Sequence, residues 1–228
     1  MEKASKYDLV LFDLDGTLLN TIPDLGNAVN HALGIRSLPV HEMYEYPAMV
    51  GHGIRNLVTK ALPEELRADE GYVSEVLADF SSYYTAHIYD RTEPYPGITE
   101  LLATLQESGC AMAVVSNKFQ PGTEKLIRIF FPDIKWVAVM GNQEGMPLKP
   151  DPAIVKMIFN SYAGQTGNKE PNAVMVGDSS SDIRTGKNAG IATISVTWGY
   201  RPESSLTDAD ILAHNVEELE EALLKKDI

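Results

Sequence analysis

The chain has 228 residues, 44% of them hydrophobic, enough for one or two packed domains and incompatible with wholesale disorder. Lys and Arg number 19 against 32 Asp and Glu, a formal charge of −13, which sets aside a broad nucleic-acid-binding surface, because such surfaces are basic. The single cysteine, Cys110, excludes an internal disulfide and a Cys-rich zinc site, and its apolar surroundings read as those of a buried, inert thiol.

The first twelve residues carry lysines at 3 and 6 and then a run of about four apolar residues. A signal peptide needs roughly 7–15 such residues and a membrane helix about 20, so the expectation is a cytoplasmic protein without a membrane partner. Residues 7–12 form a short apolar run, the pattern of a buried strand. It ends in Asp13-Leu14-Asp15-Gly16-Thr17, with a turn signal at Gly16. Helical character follows: Pro23 suits a first turn, Leu25, Val29, Ala32 and Leu33 share a face, and Val73, Val76, Leu77, Phe80, Tyr84, His87 and Ile88 keep helical spacing. No strand is expected between about 20 and 90.

Thr92-Glu93-Pro94-Tyr95-Pro96-Gly97 reads as a stiff link. Helices and strands then alternate: helix 98–107, strand 111–115, helix 123–130, strand 136–140, helix 153–162, strand 173–176, helix 182–188, strand 193–197, and a closing amphipathic helix, 216–224, in an acidic tail that runs to Lys226. Such alternation predicts an α/β protein with a parallel sheet covered by helices on both faces. The catalytic core would be residues 1–19 and 93–228, Rossmann-like, with an inserted helical domain over 20–92.

In open parallel sheets ligands bind beyond the carboxyl ends of the strands. Each predicted strand end is polar: Asp13 and Asp15; Ser116-Asn117-Lys118; Gly177-Asp178 with Asp182 close behind; and Lys149-Pro150-Asp151-Pro152 after the third strand of this series. Asp13 and Asp15 are two apart, so in an extended segment both carboxylates can face one site. Close carboxylates repel and need a cation or a shared proton. With Asp178 and Asp182 they make an all-oxygen set suited to Mg2+. Ser116 adds a hydroxyl, Lys149 a positive charge, and backbone amides around Gly16 a candidate anion nest. Acids, metal, lysine and serine together indicate phosphoryl transfer. Asp178 also stands where an acid would cap the next helix.

Asp13-Leu14-Asp15-Gly16-Thr17-Leu18, Ser116-Asn117, Lys149-Pro150-Asp151-Pro152 and Gly177-Asp178-Ser179-Ser180-Ser181-Asp182 resemble, in order, the four motifs of the haloacid dehalogenase superfamily. Within it the chain is most similar to phosphoglycolate phosphatase-like members, and the helical insert resembles the superfamily's small α-helical cap. The resemblance implies that Asp13 attacks phosphorus to form an aspartyl-phosphate, and that Asp15 protonates the leaving oxygen and then activates water. It implies Mg2+ held by Asp13, the Asp15 carbonyl and Asp178 with Asp182 in support, and phosphate held by Gly16, Thr17, Ser116, Asn117 and Lys149. Dehalogenases of the family lack the second aspartate and phosphonatases carry an alanine there, so Asp15 argues for a phosphatase. Asn20-Thr21 stands where many relatives have Asp-Ser, a departure that bears on hinge detail.

Gly51-His52-Gly53-Ile54-Arg55 resembles the cap segment that contacts substrate, with Arg55 suited to a carboxylate; an ordinary helix start is the other reading. Lys118 reads either as a solvated loop residue or as a group reaching the substrate's far end. Trp198-Gly199-Tyr200 reads as packing, with a wall at the cleft entrance as the other reading, and His31, His41, His87 and His214 lack metal-ligand spacing. The expected function is Mg2+-dependent hydrolysis of a small phosphorylated metabolite, 2-phosphoglycolate first. Pyrophosphate, nucleotides and sugar phosphates fit the same core, and a β-phosphoglucomutase-like phosphotransferase is a further enzymatic alternative. A non-enzymatic binding relative would be expected to lack Asp13, Lys149 or Asp178, and all three are present.

Overall fold

The computed structural model describes residues 4–225. The apolar run of the N-terminus becomes strand β1 (Leu9–Phe12), buried on both faces. A two-residue strand, β2 (Leu19–Asn20), follows the Asp13–Thr17 turn, and the chain enters helices α1 (Ile22–Gly34), α2 (Ile54–Ala61) and α3 (Glu70–His87), with two short 3-10 turns between them. It returns through β3 (Glu93–Pro94), which pairs antiparallel with β2. This ribbon touches the region expected to lack strands; two residues flanking a turn carry no periodicity from which a strand can be read.

The remainder alternates as expected: α4 (Ile98–Glu107), β4 (Ala111–Phe119), α5 (Gln120–Phe130), β5 (Trp136–Asn142), α6 (Ala153–Thr166), β6 (Ala173–Gly177), α7 (Ser180–Ala189), β7 (Ala192–Val196), β8 (Ile211–Ala213) and α8 (Val216–Leu223). Helix α5 starts three residues earlier than its apolar spacing suggests, because Pro121 fits the first turn. Strand β8 was not expected: three residues on a sheet edge are too few to show alternation. The predicted acidic tail runs past the described residues at Lys226.

The six long-range strands form one sheet in the order β5-β4-β1-β6-β7-β8, and every pairing is parallel. Side chains alternate across it. Val10 and Phe12 share a face with Met112, Val114, Val174 and Val176, covered by α4, α5 and α8; that cluster runs on into the helical insert. Leu9 and Leu11 share the other with Ala113, Val115 and Met175, covered by Ile154, Val155 and Ile158 of α6. Cys110 is buried, and burial raises its thiol pKa. No helix of the described residues is long and apolar enough to cross a membrane.

After β5 the chain crosses to the far side of β1, so the order reverses around β1, where a crevice opens at the carboxyl ends. Phe12 pairs with both Val114 and Val176. That register delivers Asp13, Ser116 and Asp178 to nearly the same level.

The return from the insert is pinned by a buried acid. Asp24, in the first turn of α1, accepts the backbone N–H of Arg91 and Thr92 and the Thr92 hydroxyl, at 2.7–3.0 Å. Hydrogen bonds to a charged group contribute about 1.5–3 kcal/mol, and donors left buried and unpaired cost more. Asp24→Ala is therefore expected to destabilise the protein by about 2–4 kcal/mol, read as a lower urea midpoint. An unchanged midpoint would show that Asp24 does not hold this crossing.

Candidate active site

A cleft opens above the carboxyl ends of β1, β4 and β6. Its core walls carry Asp13, Asp15, Ser116, Asn117, Lys118, Lys149 and Asp178, and the insert contributes Leu25, Val50, Gly51, Gly53, Ile54 and Leu57. Most of the sequence-predicted site residues therefore converge on one place.

Three carboxylates, Asp13, Asp178 and Asp182, offer oxygens within 4.8 Å of one another, all buried. One ammonium answers them: Lys149 Nζ lies 2.8 Å from Asp13 Oδ1 and 2.7 Å from Asp182 Oδ1, and it also donates to the Val115 carbonyl at 2.8 Å. Burial pushes the Asp13 carboxyl well above the usual carboxylate range, the Asp182 and Asp178 charges add to the rise, and Lys149 opposes it. Burial and Asp182 push Asp178 up to about 7, against the Tyr200 N–H, which donates to its Oδ2 at 2.6 Å. Burial alone would lower the Lys149 pKa, but Asp13 and Asp182 outweigh it and hold the ammonium charged. An all-oxygen, over-negative pocket of this kind fits a hard metal cation. Asp182 is already engaged at both oxygens, by Lys149 and by the Ser179 N–H and hydroxyl. Asp13 and Asp178 each keep an oxygen that accepts no hydrogen bond among the described residues, so these two could bind the ion directly, with Asp182 in support.

The N-cap of α7 is Ser179, in a reciprocal capping box with Asp182. Asp178 is thus released from capping and faces the cleft. Two glycines make room for these acids. A Cβ on Gly177 would lie 2.2 Å from Asp182 Cγ, and one on Gly199 would lie 2.2 Å from Asp178 Cβ. Trp198-Gly199-Tyr200 is therefore more than packing: it walls Asp178.

Asp15 sits in different company. Its Oδ1 accepts from the Thr21 hydroxyl at 2.6 Å and from Lys118 Nζ at 3.0 Å. Lys118, with its side chain 2% exposed, is not a solvated loop residue.

Several sequence expectations are revised. The amides of Gly16 and Thr17 donate within their own turn, to the Leu19 and Leu14 carbonyls, and neither residue lines the cleft, so they form no open anion nest. Asn117 clamps the Lys149 backbone, accepting its N–H at 2.8 Å and donating to its carbonyl at 3.3 Å, and also reaches the Gly51 carbonyl at 3.0 Å; its side chain braces the site. Arg55 turns away, paired with Glu70 and 3.3 Å from the Ser74 hydroxyl. Helix α2 buries Leu57, Val58 and Ala61, which leaves Arg55 on its outer side. His52 is exposed and outside the cleft lining, between Gly51 and Gly53, which belong to it. None of the other histidines lines the cleft. The cation that sequence reasoning missed is Arg201, a lining residue that donates to the Pro47 and Val50 carbonyls of the insert. Thr21 and Tyr84 were missed as site residues as well, since no motif marks them.

Residues 10–196 match the family described as haloacid dehalogenase-like hydrolases. The chain belongs to that family. This haloacid dehalogenase-like hydrolase is 33% identical over 193 residues to a phosphoglycolate phosphatase of Mesorhizobium japonicum, covering 84% of this chain and 83% of that one. It is 31% identical to a phosphoglycolate phosphatase of Haemophilus influenzae, over 90% and 92% of the two chains. A protein of known structure from Lactobacillus delbrueckii subsp. bulgaricus superposes with a TM-score of 0.83 at 30% identity, over 97% of this chain and all of that one. Within the family the protein is a phosphatase.

Proposed function

We propose that the protein is a Mg2+-dependent phosphatase of 2-phosphoglycolate that works through an aspartyl-phosphate on Asp13. The observation that carries the mechanism is the divergence of two carboxylates on one loop. Asp13 belongs to the buried acid cluster beside Lys149, whereas Asp15 is turned to Thr21 and Lys118. Two acids in two environments take two roles.

A carboxylate oxygen of Asp13 attacks phosphorus while the P–O ester bond breaks and Asp15 gives its proton to the departing alkoxide. Water then attacks the phosphoryl group, its proton passes to the Asp15 carboxylate, and the Asp13–phosphorus bond breaks to release inorganic phosphate. Lys149 and Ser116 hold phosphoryl oxygens. Bound Mg2+, held by Asp13 and Asp178 with Asp182 in support and the Asp15 carbonyl as a further ligand, would neutralise charge on the phosphoryl group. The helical insert, residues 20–92, acts as a lid on the catalytic core, and its Gly51–Gly53 turn helps close the cleft over the bound ester. Arg201, rather than Arg55, supplies the cation for a carboxylate at the substrate's far end. The names of the 33% and 31% identical relatives support phosphoglycolate as that substrate.

The test is turnover of a panel of phosphate esters with and without metal. Hydrolysis of 2-phosphoglycolate above sugar phosphates, nucleotides and pyrophosphate is expected, abolished by EDTA and restored by Mg2+, with Ca2+ a poor substitute because its longer, looser coordination misaligns Asp13. Protons compete with the ion, because burial raises the pKa of Asp13 and brings Asp178 to about 7. Mg2+ should therefore raise Tm more at pH 8 than at pH 5. Full activity of EDTA-treated, metal-free protein would remove the metal from the mechanism, and a different preferred ester would replace phosphoglycolate.

A further inference from the structure

Lys118 Nζ stands between two partners that belong to different parts of the chain. It lies 3.0 Å from Asp15 Oδ1, at the end of β1, and donates at 2.7 Å to the hydroxyl of Tyr84, on helix α3 of the insert. Tyr84 is wholly buried, its ring stacked on Phe80 with centroids 5.2 Å apart and lying 5.0 Å beneath the Lys118 ammonium. Packing alone would be served by a phenylalanine here, as at Phe80. The hydroxyl is what differs, and its hydrogen-bond partner among the described residues is Lys118.

The second donor to Asp15 Oδ1 is the Thr21 hydroxyl, at the crossing into the insert, and it is itself 3.1 Å from the Tyr200 hydroxyl. Both groups that fix Asp15 are therefore tied to the insert or to its point of attachment. They converge on one oxygen, so the other is left for the ester oxygen or water.

We propose that Tyr84 is a positioning residue for the reaction: acting through Lys118, it sets the orientation of Asp15 and thereby makes proton transfer depend on the insert being seated against the core. This rests on the reading of Asp15 as the acid and base. With the insert seated, Tyr84 holds Lys118, and Lys118 and Thr21 together hold Asp15. With the insert displaced, Lys118 loses its acceptor on α3 and Asp15 is held by one donor fewer. A geometric error of this kind at a proton-transferring group slows the step that needs the proton and leaves ground-state binding nearly untouched.

The experiment compares kcat/KM for 2-phosphoglycolate, or for whichever alkyl phosphate the enzyme hydrolyses best, with kcat/KM for an aryl phosphate whose leaving oxygen needs little protonation. The ratio is taken on one sample, so it does not depend on the folded fraction. Tyr84→Phe is expected to lower the alkyl value about 10-fold, the scale of one lost hydrogen bond to a charged group, and the aryl value less than about twofold, with KM nearly constant. In a Lys118→Met background the same Tyr84→Phe change should have no further effect, because Tyr84 works through Lys118. Equal losses on both esters, no loss on either, or additive losses in the double variant would overturn the proposal. Asp15→Ala, measured in parallel, separates the two readings. If it leaves the alkyl ester's turnover intact, the assignment of Asp15 fails; if it removes turnover while Tyr84→Phe does not shift the ratio, the role of Tyr84 alone fails.

Discussion

Asp13→Asn is expected to lower turnover by about 10⁴-fold or more, the scale on which removal of a nucleophile acts in enzymes that form covalent intermediates. The amide is nearly isosteric, so the fold should survive. Lys149 keeps its contacts with Asp182 and the Val115 carbonyl, and β1 remains paired on both sides. The amide nitrogen is a poor nucleophile and the amide oxygen a weaker metal ligand. Steady-state kinetics with an unchanged far-ultraviolet spectrum check this, and rapid acid quench should find no phosphorylated protein. A variant that keeps a tenth of wild-type turnover would exclude Asp13 as the attacking group.

Asp15→Ala is expected to cost about 10²–10⁴-fold, the usual contribution of a general acid–base group. The two half-reactions should respond differently to the leaving group. An aryl phosphate leaves without help, so phosphorylation of Asp13 proceeds, while hydrolysis of the intermediate still lacks its base. The variant mixed with such an ester should therefore accumulate phosphorylated Asp13, detected by mass spectrometry after acid quench. If the ester is consumed at the wild-type rate and no phosphorylated protein is trapped, Asp15 is not the base for the second step.

The fold was legible wherever a hydrophobic run ended in chemistry. The segment 7–12 leads straight into Asp13, 111–115 into Ser116, and 173–176 into Gly177-Asp178, and the parallel register brings these ends level. Such sites announce themselves because a buried strand has no other reason to stop at an acid. The contacts that were illegible join segments with no shared motif: Tyr84 to Lys118, Tyr200 to Asp178, Arg201 to Pro47 and Val50. Each depends on how the helical insert and the loop after β7 approach the sheet, which side-chain periodicity does not encode. Arg55 is the instructive miss. Its chemistry suits a carboxylate, but Ile54, Leu57, Val58 and Ala61 follow the i, i+3, i+4, i+7 pattern of a buried face, and that pattern already places Arg55 off the face that meets the cleft. Gly16 and Thr17 failed for a related reason: a tight turn uses its own amides before a ligand can.

The central position of β1 also bears on how the polypeptide matures. Leu9 is made first, yet its partners are Ala111 on one side and Ala173 on the other, about 100 and about 160 residues downstream. At a synthesis rate of about 5–20 residues per second, the second neighbour leaves the ribosome roughly 10–30 seconds after the first strand. For that interval Leu-Val-Leu-Phe keeps one edge unpaired, while the helical segment 22–88, whose helices pack on one another, can already collapse. Long-range parallel pairing of this kind is slow and exposed to aggregation. The hydrophobic sequence that later places Asp13 in the cleft is therefore also a stretch of the nascent chain that gains from shielding by a chaperone, and high-level expression at reduced temperature should favour recovery of native enzyme over inclusion bodies.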